Sequence, residues 1–325
     1  MMREPWFWRS QSFAARAAAA ALSPLSWGYD AAQRMRWCVT QPQSVDIPVI
    51  CIGNATLGGV GKTPFALLVH HLLKEAGHNA WFMTRGYGGA EDGPIKVMPD
   101  NHQAPDVGDE ALLLAKHGPV IVSRNRPDGA RAALQGSADV IIMDDGFQNP
   151  SLKKSLSILL LDAGDPQGTG RIFPAGPLRE PLDRAKTRAD ITVNVWRDRK
   201  SAAADTGFHA WLEPVHAPPA QKVIAFTGIG VPAKFFLSLS KAGFEIIRRV
   251  SFPDHHRFKE QELAILLRLA EEKKAALITT EKDFVRLPVN FRGNVLTLPV
   301  VMRINDPDEL KKRLLAAIDA HGRSR

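Results

Sequence analysis

From residue 48 onward, short runs of apolar residues alternate with longer stretches whose apolar positions recur every three or four residues. The short runs at 48–53 (PVICIG), 80–85 (AWFMTR), 119–123 (PVIVS), 138–146 (ADVIIMDDG), 156–162 (LSILLLD) and 191–196 (ITVNVW) predict strands. Residues 62–77, 109–118 and 126–136 predict helices, with Gly77 as the stop of the first. Strands that are apolar at nearly every position are buried on both faces. The pattern therefore predicts an α/β fold: a parallel sheet with helices on both sides. Residues 163–189 break the rhythm with Pro, Gly and Arg, and so long an irregular stretch is usually functional or a linker.

After the polar stretch 197–207 the alternation resumes. Strands are expected at 222–230, 244–252, 275–280 and 294–302, and helices at 231–242, 259–272 and 307–320. The chain then divides into a helical segment 1–45, a first α/β domain 46–196, a linker 197–221, a smaller second α/β domain 222–302, and a C-terminal helix 303–325 able to pack back on the first domain. Residues 1–45 read as one or two helices broken at Pro24 and ending near Pro42.

Composition narrows the picture. A chain of 325 residues is long enough for two domains and a real core. The net charge of +8 points to an anionic partner, whether nucleotide, nucleic acid or acidic membrane. The charge is spread out and no aromatic–basic platform accompanies it, so no nucleic-acid partner is expected. Cys38 and Cys51 are too few for a disulfide framework and suit a reducing compartment. No apolar run approaches the ~18 residues of a membrane-spanning helix. The first 37 residues nevertheless hold Trp6, Trp8, Trp27 and Trp37 among Arg3, Arg9, Arg16, Arg34 and Arg36. That pairing suits a helix lying at a lipid–water boundary. A helix packed on the protein and a secretory signal over SFAARAAAAAL are the alternatives, and Arg16 interrupts the apolar core that a signal requires.

The candidate chemistry begins at GNATLGGVGKTP, residues 53–64. Its strand–glycine loop–helix context is that of a phosphate-binding loop, although Thr56 stands where the pattern has its first glycine. Thr56, Leu57, Gly58, Gly59, Val60, Gly61, Lys62 and Thr63 are the expected nucleotide-binding residues. Glycines let backbone N–H groups turn inward on phosphate oxygens, and the helix start adds its positive end. Lys62 can reach the β- and γ-phosphates and Thr63 can place its hydroxyl on Mg²⁺. A helix-capping glycine turn is the bland alternative. Asp144 and Asp145 end the apolar run VIIM and read as the metal-side carboxylates; two like charges side by side call for a cation. No Asn-Lys-x-Asp base-reading motif occurs, and Leu57 replaces the lysine of partitioning ATPases, so switch readings lose ground.

A kinase must also orient and deprotonate its acceptor. Asp109 and Glu110 open a helix in VGDE, where they could equally be first-turn helix charges. His255 and His256, in FPDHHRF, could serve as base, orienter or ligand, or be surface residues.

Taken in order, GNATLGGVGKTP, TRGYGG, VGDEALLLA, MDDGFQ, FPAGPLREP, FPDHHRF and TTEKDFVRLP closely resemble the tetraacyldisaccharide 4′-kinase family, the lipid A 4′-kinases of Gram-negative bacteria. The resemblance runs from the N-terminal helix to about residue 290 and accounts for Thr56, because this family's loop lacks the first glycine. It implies a P-loop fold, with ATP and Mg²⁺ as cofactors. It also implies transfer of the γ-phosphoryl group to the 4′-hydroxyl of tetraacyldisaccharide 1-phosphate, giving lipid IVA. It implies a monotopic protein, expected as a monomer, on the cytoplasmic face of the inner membrane. By position, Asp109 matches the general base with His255 as its partner across a domain cleft. Lys62 and Arg179 match phosphate-site cations, with Glu180 beside them. Thr63, Asp144, Asp145 and Glu110 fall on the metal side. The chain departs from the pattern at Asn149, where a histidine is expected. Closure over ATP is expected about a hinge near 190–220, with a second crossing near 300. A kinase for a soluble sugar and a membrane-bound nucleotide switch are the rival readings.

Overall fold

The computed structural model describes residues 5–8, 10–202, 206–215 and 221–323. Arg3 and Arg9 of the N-terminal cluster lie outside the described residues.

Among the described residues, two sheets carry the fold. The larger has nine strands in the order β13-β8-β7-β6-β1-β5-β2-β4-β3. Its members are β1 (Val49–Asn54), β2 (Ala80–Thr84), β3 (Ile95–Lys96), β4 (Val120–Val122), β5 (Val140–Asp144), β6 (Leu156–Asp162), β7 (Ile191–Trp196), β8 (Phe208–Pro214) and β13 (Val300–Ile304). All pairings are parallel except those of the two edge strands, β3 with β4 and β13 with β8. The smaller sheet is fully parallel, in the order β10-β9-β11-β12. Its strands are β9 (Lys222–Thr227), β10 (Glu245–Ser251), β11 (Ala276–Thr280) and β12 (Val295–Leu298).

The unbroken apolar runs are explained by the two cores they serve. Ile50 and Ile52 of β1 face helices Lys62–Glu75 and Asp109–Ala115, whereas Val49 and Cys51 face helix Arg126–Gln135 and the segment around Leu178. Helix Pro307–Arg323 adds Leu310 and Leu314 to the first of these cores. In the small lobe, helices Pro232–Lys241 and Glu260–Lys273 cover opposite faces of the sheet.

Three elements differ from the sequence expectation. Pro24 does not break the N-terminal helix, which runs unbroken from Phe13 to Val39. Ala15 and Ala19 are buried on one side of the proline, Ser26 and Asp30 on the other, so tertiary contacts hold the helix across the missing hydrogen bond. Residues Phe208–Pro214, inside the expected linker, form β8 of the large sheet. Residues 294–302, expected as one strand, are two strands in different sheets parted at Pro299, whose missing N–H suits a ladder's end. The two chain crossings lie together: the Val215 N–H donates to Pro299 O at 3.0 Å.

Candidate active site between the two lobes

β1 lies between β5 and β6, and the loop after it opens at the carboxyl ends of these strands. That is where open parallel sheets hold ligands. Gly58 (φ 122°) and Gly61 (φ 96°) take left-handed backbone conformations that turn the loop into helix Lys62–Glu75. Thr56 has no such requirement. It pairs as an isolated antiparallel bridge with Leu178, flanked by Leu57 N–H to Pro177 O and Arg179 N–H to Ala55 O, each 2.7 Å. The missing first glycine is thus replaced by a strand-like splice to the segment 177–179.

The side chains converge on this loop. Lys62 Nζ donates to Asn54 Oδ1 at 3.1 Å and lies 3.7 Å from Asp145 Oδ1. Thr63 Oγ1 donates to Asp144 Oδ2 at 3.2 Å, while Asp144 Oδ1 is buried without a partner. Burial pushes the Asp144 carboxyl up to about 7, with the Glu110 charge adding to the rise and Lys62 opposing it. Asp145 is in the opposite state. Burial would raise it, but Lys62 and Arg179 outweigh burial and hold it well below the usual carboxylate range. Arg179 grips it with both nitrogens, at 2.9 and 3.1 Å.

The expected metal set is therefore divided. Thr63 and Asp144 meet, and an unpartnered buried oxygen on a carboxyl resisting ionisation fits a divalent cation. Asp145 is committed to Arg179, and Glu110 Oε1 accepts from Lys282 Nζ at 2.9 Å. Among the described residues, no three His, Cys, Asp or Glu side chains gather as a metal cluster.

Asp109 and His255 come from different lobes and meet. Asp109 Oδ2 lies 3.0 Å from His255 Nδ1 and 2.8 Å from Arg286 Nε. Asp109 Oδ1 accepts from the Glu110 N–H at 2.9 Å. Burial would raise Asp109, but the His255 contact and the charges of Lys282 and Arg286 outweigh it and bring it to about 2. Despite its two close neighbours, Oδ2 has no aligned hydrogen-bond donor, so acceptor capacity remains. His256 does not share this role. Its Nε2 pairs with Glu262 Oε2 at 2.8 Å and its ring stacks on Phe252. Asn149, at the point of departure from the family pattern, accepts from Ser151 N–H and Oγ within its own turn.

Three residues of the site carry no role in the sequence reading. Lys282, Asp283 and Arg286 all come from TTEKDFVRLP. Asp283 is fully buried; it accepts from Thr227, Thr280 and the Gly228 N–H and pairs with Arg286 at 3.2 Å, which presents Arg286 to Asp109. Lys282 also approaches His255 Nε2 at 3.4 Å. The TRGYGG loop supports the other side: Tyr87 sets its ring 5.4 Å from that of His255. A second inter-lobe contact covers the phosphate loop itself, where Lys234 Nζ reaches Asp162 at 3.1 Å and Gly59 O at 3.4 Å.

The chain is similar to known proteins over nearly its whole length. The profile of the tetraacyldisaccharide-1-P 4′-kinase family (LpxK) matches residues 18–319. Tetraacyldisaccharide 4′-kinase of Parvibaculum lavamentivorans is 48% identical over 297 residues, covering 88% of this chain and 87% of that one. The enzyme of the same name from Rhodospirillum centenum is 41% identical, covering 99% of this chain and 100% of its own. The crystal structure of LpxK from Aquifex aeolicus in complex with ATP superimposes with a TM-score of 0.74 at 28% identity, covering 92% of this chain and 99% of that one.

Proposed function

The chain belongs to the tetraacyldisaccharide-1-P 4′-kinase family, and from that premise we propose how its own residues divide the work of the reaction. The enzyme is an ATP-dependent lipid A 4′-kinase. It transfers a phosphoryl group to the 4′-hydroxyl of tetraacyldisaccharide 1-phosphate, giving lipid IVA.

The loop 56–63 and Lys62 hold the β- and γ-phosphates. Thr63 and Asp144 hold Mg²⁺, which when bound offsets phosphate charge and lets Asp144 ionise. Arg179, presented beside the loop by its pair with Asp145, steadies charge on the transferring group. Asp109 orients the acceptor hydroxyl and takes its proton, and His255 and Arg286 fix the carboxylate. A carboxylate whose pKa is held at about 2 is a weak base. Phosphoryl transfer through a loose transition state asks mainly for positioning, so a late proton transfer to such a group is sufficient. The observation that carries this reading is the 3.0 Å approach of Asp109 and His255 from separate lobes. Closing the lobes completes the base and sheds water that would otherwise hydrolyse ATP.

The substrate is a lipid, and the N-terminal helix offers a surface to meet it. Trp6, Phe13, Leu25, Trp27, Met35 and Val39 are exposed along this segment. No described helix is long and apolar enough to cross a membrane. The helix lies on the bilayer at the cytoplasmic face of the inner membrane, where ATP is available. Both members of the Asp109–His255 pair come from one chain, so a monomer suffices.

The test is a transfer assay in detergent with γ-labelled ATP, Mg²⁺ and tetraacyldisaccharide 1-phosphate. Label should enter lipid with the wild type. The Asp109→Asn variant should lose on the order of 10²–10⁴ in rate, the usual range for general acid–base groups, and Lys62→Ala on the order of 10²–10³, as for the loss of one electrostatic contact to the transition state. Label appearing only as free phosphate would instead support a membrane-bound switch.

A further inference from the structure

The N-terminal helix does more than present an apolar face. Its opposite face is built into the phosphate site along two independent routes. The first is through backbone. Ser26 Oγ donates to Ile172 O at 2.8 Å and accepts from the Ala175 N–H at 3.1 Å. Arg171 reaches back to Ser23 Oγ at 2.9 Å, and buried Trp8 donates to Pro174 O at 3.0 Å. The segment so seated continues into 177–179, the strand-like splice that carries the phosphate loop.

The second route is through side chains. Asp30, buried in the helix, takes Arg184 on both oxygens at 2.7 and 3.2 Å. Arg188 stacks on Trp37 with 4.4 Å to the ring centroid and donates to buried Glu180 at 2.7 Å. Glu180 accepts from Gln148 Nε2 at 3.1 Å, and Gln148 Oε1 accepts from Arg179 at 3.3 Å. Arg179 in turn holds Asp145 beside Lys62. Arg184 and Arg188 are joined by the backbone of helix Leu182–Thr187, which Arg188 caps; every other link is a hydrogen bond, an ion pair or a stacked cation. Asp30 and Glu180 are carboxylates with little access to water, so losing a partner is penalised.

We propose that Asp30 and Arg184 are positioning residues for phosphoryl transfer: the inner face of the membrane-facing helix holds the phosphate loop and Arg179 in register, separately from the outer face that meets lipid. Two functions on two faces of one helix can be separated by mutation. The proposal rests on the family's kinase reaction, and wild-type transfer of label to lipid establishes that premise independently.

The experiment uses the full-length protein with Asp30→Asn, Arg184→Met, their double variant, and Trp27→Gln on the outer face. In the inner-face single variants kcat should fall about tenfold, in keeping with the sensitivity of positioned reactions to small displacements. The double variant should fall no further, as expected of two members of one interaction. The lipid KM and co-sedimentation with anionic vesicles should stay within about twofold of wild type, a change too small to count as lost binding energy. Trp27→Gln should do the reverse, losing vesicle association while amides 55–62 exchange as in the wild type. Hydrogen exchange separates positioning from general destabilisation: amides 55–62 should exchange faster in the inner-face variants, and those of 222–298 should not. Unchanged kcat and loop exchange, a kcat loss that tracks vesicle release, or a rise in exchange through both lobes would each overturn the proposal.

Discussion

Asp144 and Asp145 stand side by side at the end of β5, one raised to about 7 and the other held low by Lys62 and Arg179. Below about pH 4 a carboxyl like Asp144 is protonated in folded and unfolded chains alike and costs nothing. As pH rises from there to about 7, the unfolded chain has released the proton that the folded chain retains. Stability falls over that interval and levels off above it. Asp144→Asn should therefore raise the melting temperature of the nucleotide-free protein by several degrees at pH 8, with the gap narrowing at pH 5. An equal gap at both pH values, read by differential scanning calorimetry, would refute the assignment. Asp144, Lys62 and Asp109 are legible in the sequence because each sits at a motif position next to a strand end or helix start. Lys282 and Arg286 are not. Lys282 sits in the short helix Glu281–Phe284 and Arg286 just beyond it, and nothing local in the sequence tells that Glu110, 172 residues away from Lys282, and its neighbour Asp109 are brought to them.

At the scale of elements, the position of Asp109 depends on a contact between two glycine-rich turns. Gly108 has φ 87°, and a Cβ there would fall 2.6 Å from Tyr87 O. Gly108→Ala combines backbone strain with a collision against main chain, each costing on the order of 1–3 kcal/mol. The expected result is a lower unfolding midpoint together with lost transfer activity, because helix Asp109–Ala115 is pushed from the cleft; a variant with wild-type midpoint and rate would contradict it. The sequence announces these turns by their glycines but does not tell that they pack on each other. The N-terminal helix gives the same lesson in reverse. Its tryptophans suggest a lipid boundary, yet Trp8 is buried on Phe173 and Trp37 lies under Arg188, leaving Trp6 and Trp27 exposed. Composition counts side chains but cannot assign them to faces, and local propensity cannot foresee that Ser26 and Asp30 hold a proline-containing helix straight through.

For the molecule as a whole, the two lobes touch through charged groups, with Asp109, Glu110 and Asp162 on one side and His255, Arg286, Lys282 and Lys234 on the other, and through Val285 of the small lobe, which is buried in the core of the large one. Opening the cleft would hydrate both partners of each ion pair together, so no charge is left buried alone, and the motion would turn about the neighbouring crossings after Pro214 and Leu298. Adding ATP and Mg²⁺ should change deuterium exchange at both crossings, and no change at either would argue against closure. The parallel sheet and its loop are evident from apolar runs, whereas the return of the chain to the first sheet is not, since 294–302 reads as one continuous strand. That return has a consequence for biosynthesis. β13 and helix Pro307–Arg323 supply Met302, Ile304, Leu310 and Leu314 to the core that also holds Phe65 and Val69 of the phosphate-loop helix. The small lobe is thus an insertion within the large one, and all of its strands emerge from the ribosome first. The nucleotide site, encoded near the front of the chain, waits for residues 300–323 before its own core can close. Until then its apolar faces are the nascent chain's exposed surface, the state in which a chaperone or the membrane itself would meet it.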